Sequence, residues 1–251
     1  MFLINDYSLS QILAAEKDFL VIYKPPCIHS SPLKSSKGDN ILTWCLKEHP
    51  EITSFSGRRT GEGGLLQRLD FQTQGLMLAA RSKFGLDVLL EQQKNNLIVK
   101  EYCAIVSDSK TTLQGFPASI HTDNSNTNTN EKKITSAFRP YGQGRKAVRP
   151  VLDINKQDKA CREFYLTEIL KDESLPSGLR SLQVRIFKGF RHQIRCHLAW
   201  LGFPIINDAL YGGASFGRGL LGLRACMLSF LDPSTAQKRC YSIPCIKADD
   251  I

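Results

Sequence analysis

The sequence predicts a mixed α+β domain, on three observations. Short strand-like runs and helical patterns are interspersed without a regular βαβ rhythm. The run SLQVRIF (181–187) alternates cleanly, with Leu182, Val184 and Ile186 on one face. Finally, no internal repeat interrupts the 251 residues, of which 42% are hydrophobic and 23% charged, ordinary values for a globular protein. That length admits one large domain or two small ones and supports a core without disulfides or metals.

Taken in order, FLVIY (19–23) reads as a strand stopped by Lys24-Pro25-Pro26. Residues 30–40, rich in Ser, Lys, Gly and Pro, read as a loop, and 41–48 as a short helix ended by Pro50. Four glycines and Arg58-Arg59 make 54–64 a basic loop. Residues 65–82 run from an apolar stretch into Asp70, turn at Thr73-Gln74-Gly75, and resume as the strand LMLAA. A helix over 82–94 has Ser82 as N-cap and an apolar stripe at Phe84, Val88 and Leu89. KEYCAIV (100–106) is the next strand, and 162–170 and 181–187 form two more around a Pro/Gly/Ser turn. Between them, 121–133 is so poor in apolar residues that it reads as a mobile insertion.

The formal net charge of +9 favours a polyanionic partner, nucleic acid first, over a merely basic surface only when other signals agree. Eight scattered cysteines contain no C-x-x-C pair, which argues against a zinc site and fits reduced thiols in the cytoplasm. The first residues carry early Asp and Glu and no basic segment before an apolar run, unlike a signal peptide. No apolar run reaches the roughly 20 residues of a membrane span. Phosphate-cradling G-x-x-x-x-G-K-[ST], a strand-borne G-x-G-x-x-G, G-x-S-x-G and H-E-x-x-H are all absent.

RHQIRCHLAWLG (191–202) predicts a helix with Ile194, Leu198 and Leu201 as its buried stripe, ended by Gly202 and Pro204. Lys188, Arg191 and Arg195 crowd its N-terminal half, where the macrodipole disfavours cations. They either await an anion or form a solvated basic face, and the pattern alone favours the second. Asp70, on local context, is an acid opening a turn, a position usually filled for capping. Tyr102 reads as a strand residue among apolar neighbours.

Three separated segments change that balance. LQRLDFQTQGL (66–76) resembles H-R-L-D-x-x-T-S-G-L, and Lys100-Glu101-Tyr102 resembles K-x-Y. GFRHQIRCHL (189–198), followed by LGFPI (201–205) and DALYG (208–212), resembles G-R-T-H-Q-I-R-V-H-L…L-G-H-P-I…D-x-L-Y-G. Together with VIYKPP (21–26), these are similar to the signatures of RluA-type RNA pseudouridine synthases, in order, over about residues 18 to 231.

The resemblance implies a single catalytic domain over 1–251, its largely antiparallel sheet flanked by helices and loops around a basic cleft. It leaves no room for an S4 RNA-binding domain ahead of residue 18. It makes Asp70 the catalytic aspartate, Arg195 the arginine that pairs with it, and Tyr102 the active-site tyrosine. Arg68 fills the space of the flipped-out uridine, and Lys24, Lys100, Arg191 and His192 join it as substrate contacts. The implied partner is ribosomal or transfer RNA, acted on by a monomer with neither cofactor nor metal. Gln67, Gln74, Phe190-Arg191, Phe203 and Cys27 depart from the usual His, Ser, Arg-Thr, His and Gly, so Arg191 does not inherit the role of the usual Arg one position earlier. A catalytically inactive RNA-binding relative acting in RNA assembly is the alternative. A carbohydrate hydrolase would need a second carboxylate across a cleft, and none stands out.

Overall fold

FLVIYK is apolar up to its terminal lysine, and so is most of QGLMLAA; both runs pair as strands with every residue buried. In the computed structural model, which describes residues 2, 4, 6–33, 39–57, 60–109, 113–118, 132–156 and 160–251, ten strands and three helices appear. The strands are β1 (Gln11–Ala15), β2 (Phe19–Lys24), β3 (Gln74–Ala80), β4 (Val99–Val106), β5 (Lys132–Tyr141), β6 (Ala147–Val151), β7 (Tyr165–Ser174), β8 (Arg180–Ile186), β9 (Leu223–Leu231) and β10 (Lys238–Ser242). The helices are α1 (Ile41–Cys45), α2 (Lys83–Lys94) and α3 (Gln193–Trp200). The chain divides into one unit of Met1–Glu101 with Arg224–Cys245, and another of Tyr102–Leu223 with Ile246–Ile251.

In the first unit β1, β2 and β3 are successive antiparallel neighbours, β3 meets β9 in parallel, and β9 pairs antiparallel with β10. Gly75 lies at the parallel junction with φ +125°. A Cβ there would come within 2.3 Å of the Ala225 carbonyl oxygen, so only glycine lets the two backbones approach. The predicted turn therefore sits one step earlier: Thr73 donates its N–H to the Asp70 carbonyl at 3.1 Å, and the strand begins at Gln74.

Helix α2 carries the predicted cap, with Ser82 Oγ accepting the Gly85 N–H at 2.9 Å. Its inward face differs from the predicted stripe. Gly85, Leu86, Leu89 and Gln92 are buried, while Phe84 points to solvent. Polar anchors set this rotation. Ser82 Oγ donates to Asp18 at 2.5 Å, and the Gln92 amide bonds both backbone groups of Leu231 at 2.8 Å.

Strands β5 to β8 of the second unit pair antiparallel. The first half of β5 pairs with β7 and its second half with β6, and β7 pairs with β8. Leu182, Val184 and Ile186 are buried on β8 as their alternation requires. Strand β7 opens at Tyr165 rather than 162, because Cys161 is bound to β5 instead, donating its N–H to the Phe138 carbonyl at 2.8 Å. The stretch 121–133 lies outside the described residues except Lys132 and Lys133, which open β5. No described helix is long and apolar enough to cross a membrane. A mixed sheet with few helices makes this an α+β fold.

Candidate active site

Asp70 is half-buried on the turn that leads into β3, between buried Leu69 and Phe71, which is 44% exposed. Backbone bonds hold that turn on both sides. Before it, Ser30 Oγ accepts the Leu69 N–H at 3.0 Å and donates to the Leu69 carbonyl at 2.8 Å. After it, the Lys24 ammonium donates to the Phe71 carbonyl at 3.1 Å, and also to those of Pro25 (3.0 Å) and Ile28 (2.8 Å). The carboxylate is thus displayed by a loop that cannot readily shift.

Lys24 corrects an expectation. Its side chain is wholly buried, and three carbonyls take its three N–H donors. It ties the Lys24–Ile28 bend to the Asp70 turn and is not a solvent-facing RNA contact. Burial pushes its ammonium down to about 7, against the opposing pull of the Asp70 charge. Arg68 does face solvent beside Asp70, with its guanidinium 3.0 Å from Glu62. Lys100 is buried near the end of the first unit.

Of two departures from the family signature on this stretch, Gln74 acquires a physical reason. Gln74 is buried, and its Oε1 accepts from Tyr23 Oη (2.9 Å) and from Nε and Nη2 of buried Arg224 (3.2 and 3.1 Å). A serine could not reach these donors from the same strand position. Gln67 donates to the Leu76 carbonyl at 3.2 Å, while its Oε1 is buried without a hydrogen-bond partner.

In the second unit Tyr102 is buried on β4, at 7% exposure. Helix α3 is buried along its whole length, including Gln193, Arg195 and His197, so the predicted three-residue stripe captured only part of its contact surface. The reading of Arg195 as part of a solvated basic face is overturned. Its Nε and Nη2 grip both oxygens of Asp208 at 2.7 and 2.8 Å, and the two side chains are 4% and 1% exposed. The Tyr211 ring centroid lies 5.3 Å from the Arg195 guanidinium carbon. Tyr211 Oη accepts the Val148 N–H at 2.9 Å and stands 3.1 Å from His192 Nδ1. Burial raises the Tyr211 phenol well above its usual range. His192 and Arg195 are thereby brought together through one tyrosine.

Arg191 is exposed, its Nη2 donating to the carbonyls of Arg145 (2.9 Å) and Ala147 (3.1 Å). Phe190 packs instead of binding polar groups, its ring parallel to Phe138 at 5.0 Å. Phe203 faces cations, with the Arg180 guanidinium 4.8 Å from its centroid. His197 lies between Ser136 Oγ (2.9 Å) and Thr167 Oγ1 (2.8 Å), and burial drives its imidazole down to about 3.

Asp208 and Tyr211 escaped assignment in the sequence, although both stand in DALYG. The available signal was indirect: a cation expected in an apolar helix needs an acid from elsewhere. Among the described residues, no three His, Cys, Asp or Glu side chains are grouped as metal ligands.

A family model for RNA pseudouridylate synthase matches residues 18–200. The chain belongs to that family. An uncharacterized RNA pseudouridine synthase of Bacillus subtilis, YjbO, is 30% identical over 236 residues, covering 93% of this chain and 71% of its own. The ribosomal large subunit pseudouridine synthase D of Blochmanniella floridana is 26% identical, with 93% and 68% covered. The solved structure of human RNA pseudouridylate synthase domain containing 1 shares the fold, with a TM-score of 0.63 at 20% identity, over 96% of this chain and 85% of that one. This pseudouridine synthase is therefore of the RluA type, an isomerase acting on RNA.

Proposed function

We propose that this synthase converts specific uridines of ribosomal or transfer RNA to pseudouridine, with Asp70 as the essential carboxylate. The observation that carries the reading is the Asp70 turn: a half-exposed acid on a loop tied down by Ser30 and Lys24. Such a mount suits a group that must meet a sugar carbon or its 2′ proton in one orientation.

The reaction breaks the N1–C1′ bond, turns the base, and rejoins it through C5. Every atom is retained, so no cosubstrate is required. Attack on the sugar and assistance to glycal formation both need an ionised Asp70. On this reading Arg195 pairs with it, Tyr102 stacks on the flipped base, and Arg68 offsets part of the few kcal/mol that flipping costs. The protein works as a cytoplasmic monomer without a metal.

The test is a pseudouridine map of total RNA by carbodiimide labelling and reverse-transcription stops. Cells with the gene, without it, and complemented with Asp70→Ala are compared. A stop lost with the gene and not restored by Asp70→Ala is the expected result, and it names the target. An unchanged map, with the protein expressed, would leave a binding-only role.

A further inference from the structure

We infer that Asp208 is a positioning residue for the isomerisation, acting through Arg195. The inference rests on the reading that Arg195 serves the reaction, and it assigns the group that aims it.

An arginine side chain has four rotatable bonds and a planar head. It delivers charge to one place only if its neighbours fix that plane. Here the fixing group is identifiable. Asp208 takes the Nε edge of the guanidinium with both oxygens, at 2.7 and 2.8 Å, a side-on fork that sets plane and rotation together. That fork takes two of the five N–H donors and directs the remaining three away from Asp208. Tyr211 lies against the head at 5.3 Å.

The mount itself is rigid. The Asp208 carbonyl accepts the N–H groups of Tyr211 (3.1 Å) and Gly213 (2.9 Å), and the Asp208 N–H donates to Ile205 at 3.1 Å. Asn207, just before it, is left-handed at φ +63° and bonds Phe216 and Leu220 with its amide. A tight turn built around one buried acid thus holds a buried cation on a neighbouring helix.

A purely structural ion pair could be replaced by apolar side chains at little cost. The helix gains nothing from a cation in its N-terminal half. Retaining both charges at 4% and 1% exposure therefore points to use of the guanidinium's direction.

The experiment measures tritium release from total RNA labelled with [5-³H]uridine in cells lacking the gene. Apparent kcat and KM are compared for wild type, Asp208→Asn, Asp208→Glu and Arg195→Lys, each checked by thermal melting. Asparagine keeps the shape but turns an N–H donor toward the arginine. The expected result is a kcat about 100-fold lower in Asp208→Asn with KM within threefold, and at least tenfold recovery in Asp208→Glu. A folded Asp208→Asn with kcat within threefold of wild type overturns the inference, as does a change confined to KM. Should Asp208→Asn fail to fold, Asp208→Gln takes its place. A melt like wild type with kcat at least tenfold lower supports positioning, and an unchanged kcat overturns it. Loss in Arg195→Lys with an indifferent Asp208→Asn defeats only this inference. An unaffected Arg195→Lys defeats the role of Arg195 itself, and no release by the wild-type protein defeats the parent reading and this inference with it.

Discussion

Asp70 and Arg195, the two charged side chains at the centre of the proposed chemistry, are held by different kinds of bond. The Asp70 turn is fixed through its backbone: Ser30 grips Leu69, and Lys24 grips Phe71. Helix α3 is also well anchored, but the Arg195 head is fixed by other side chains, Asp208 and Tyr211. In the first arrangement these bonds to the turn do not use the carboxylate itself. The second makes the cation inseparable from the packing around it. Substitutions in the two regions should therefore divide differently between stability and turnover.

The largest stability effect falls on the second region. Asp208→Ala removes the bidentate partner of a buried guanidinium. A loss of about 3–5 kcal/mol follows, measurable by urea denaturation. Replacing both members with apolar residues, as in Arg195→Met with Asp208→Leu, should recover most of that loss. If Asp208→Ala cost less than about 1 kcal/mol, the pair would behave like a surface bridge and the contrast would collapse.

Acid acts next, again on the second unit. His197 stays neutral in the fold because its pKa is lowered to about 3 by burial, and two hydroxyls satisfy the neutral ring. The unfolded chain protonates this histidine below about 6.5. Below that pH the unfolded state binds more protons, so stability is full above about 6.5 and falls as pH drops toward 3. The loss from this residue is about 2 kcal/mol between pH 6.5 and 5. His197→Gln should flatten that slope in melts across the same range, and an unaltered slope would place the acid sensitivity elsewhere.

The contrast also explains what the sequence made legible. The Asp70 turn is local: apolar run, acid, Thr73, Gly75 and strand follow one another, so position and approximate geometry could be read directly. The Ser82 cap and the β8 alternation are local in the same sense. Helix α3 is not. Three of its eight residues, Gln193, Arg195 and His197, are polar yet buried, each satisfied by residues far along the chain such as Thr167, Asp208 and Ser136. Apolar periodicity cannot register a polar side chain that is buried because its partner is. Lys24 is likewise buried by distant partners, since its three carbonyl acceptors include Phe71, 47 residues away. Phe84 misled in the opposite sense, because Ser82 and Gln92 orient α2 through hydrogen bonds rather than through apolar area.

The smallest stability effect is the sharpest test of the comparison. Asp70→Asn is the same chemical change as Asp208→Asn, made where the backbone does the holding. The turn keeps its Thr73 bond, Ser30 keeps both bonds to Leu69, and Lys24 keeps its three carbonyls. What disappears is the charge of a half-exposed carboxylate, including its attraction to the buried Lys24 ammonium, which solvent partly screens. The expected cost is under about 1 kcal/mol, while turnover is lost. Paired denaturation curves for the two Asp→Asn variants check this. Equal losses would mean that the Asp70 charge is itself part of what holds Lys24 in place, and the acid would then be both scaffold and reagent.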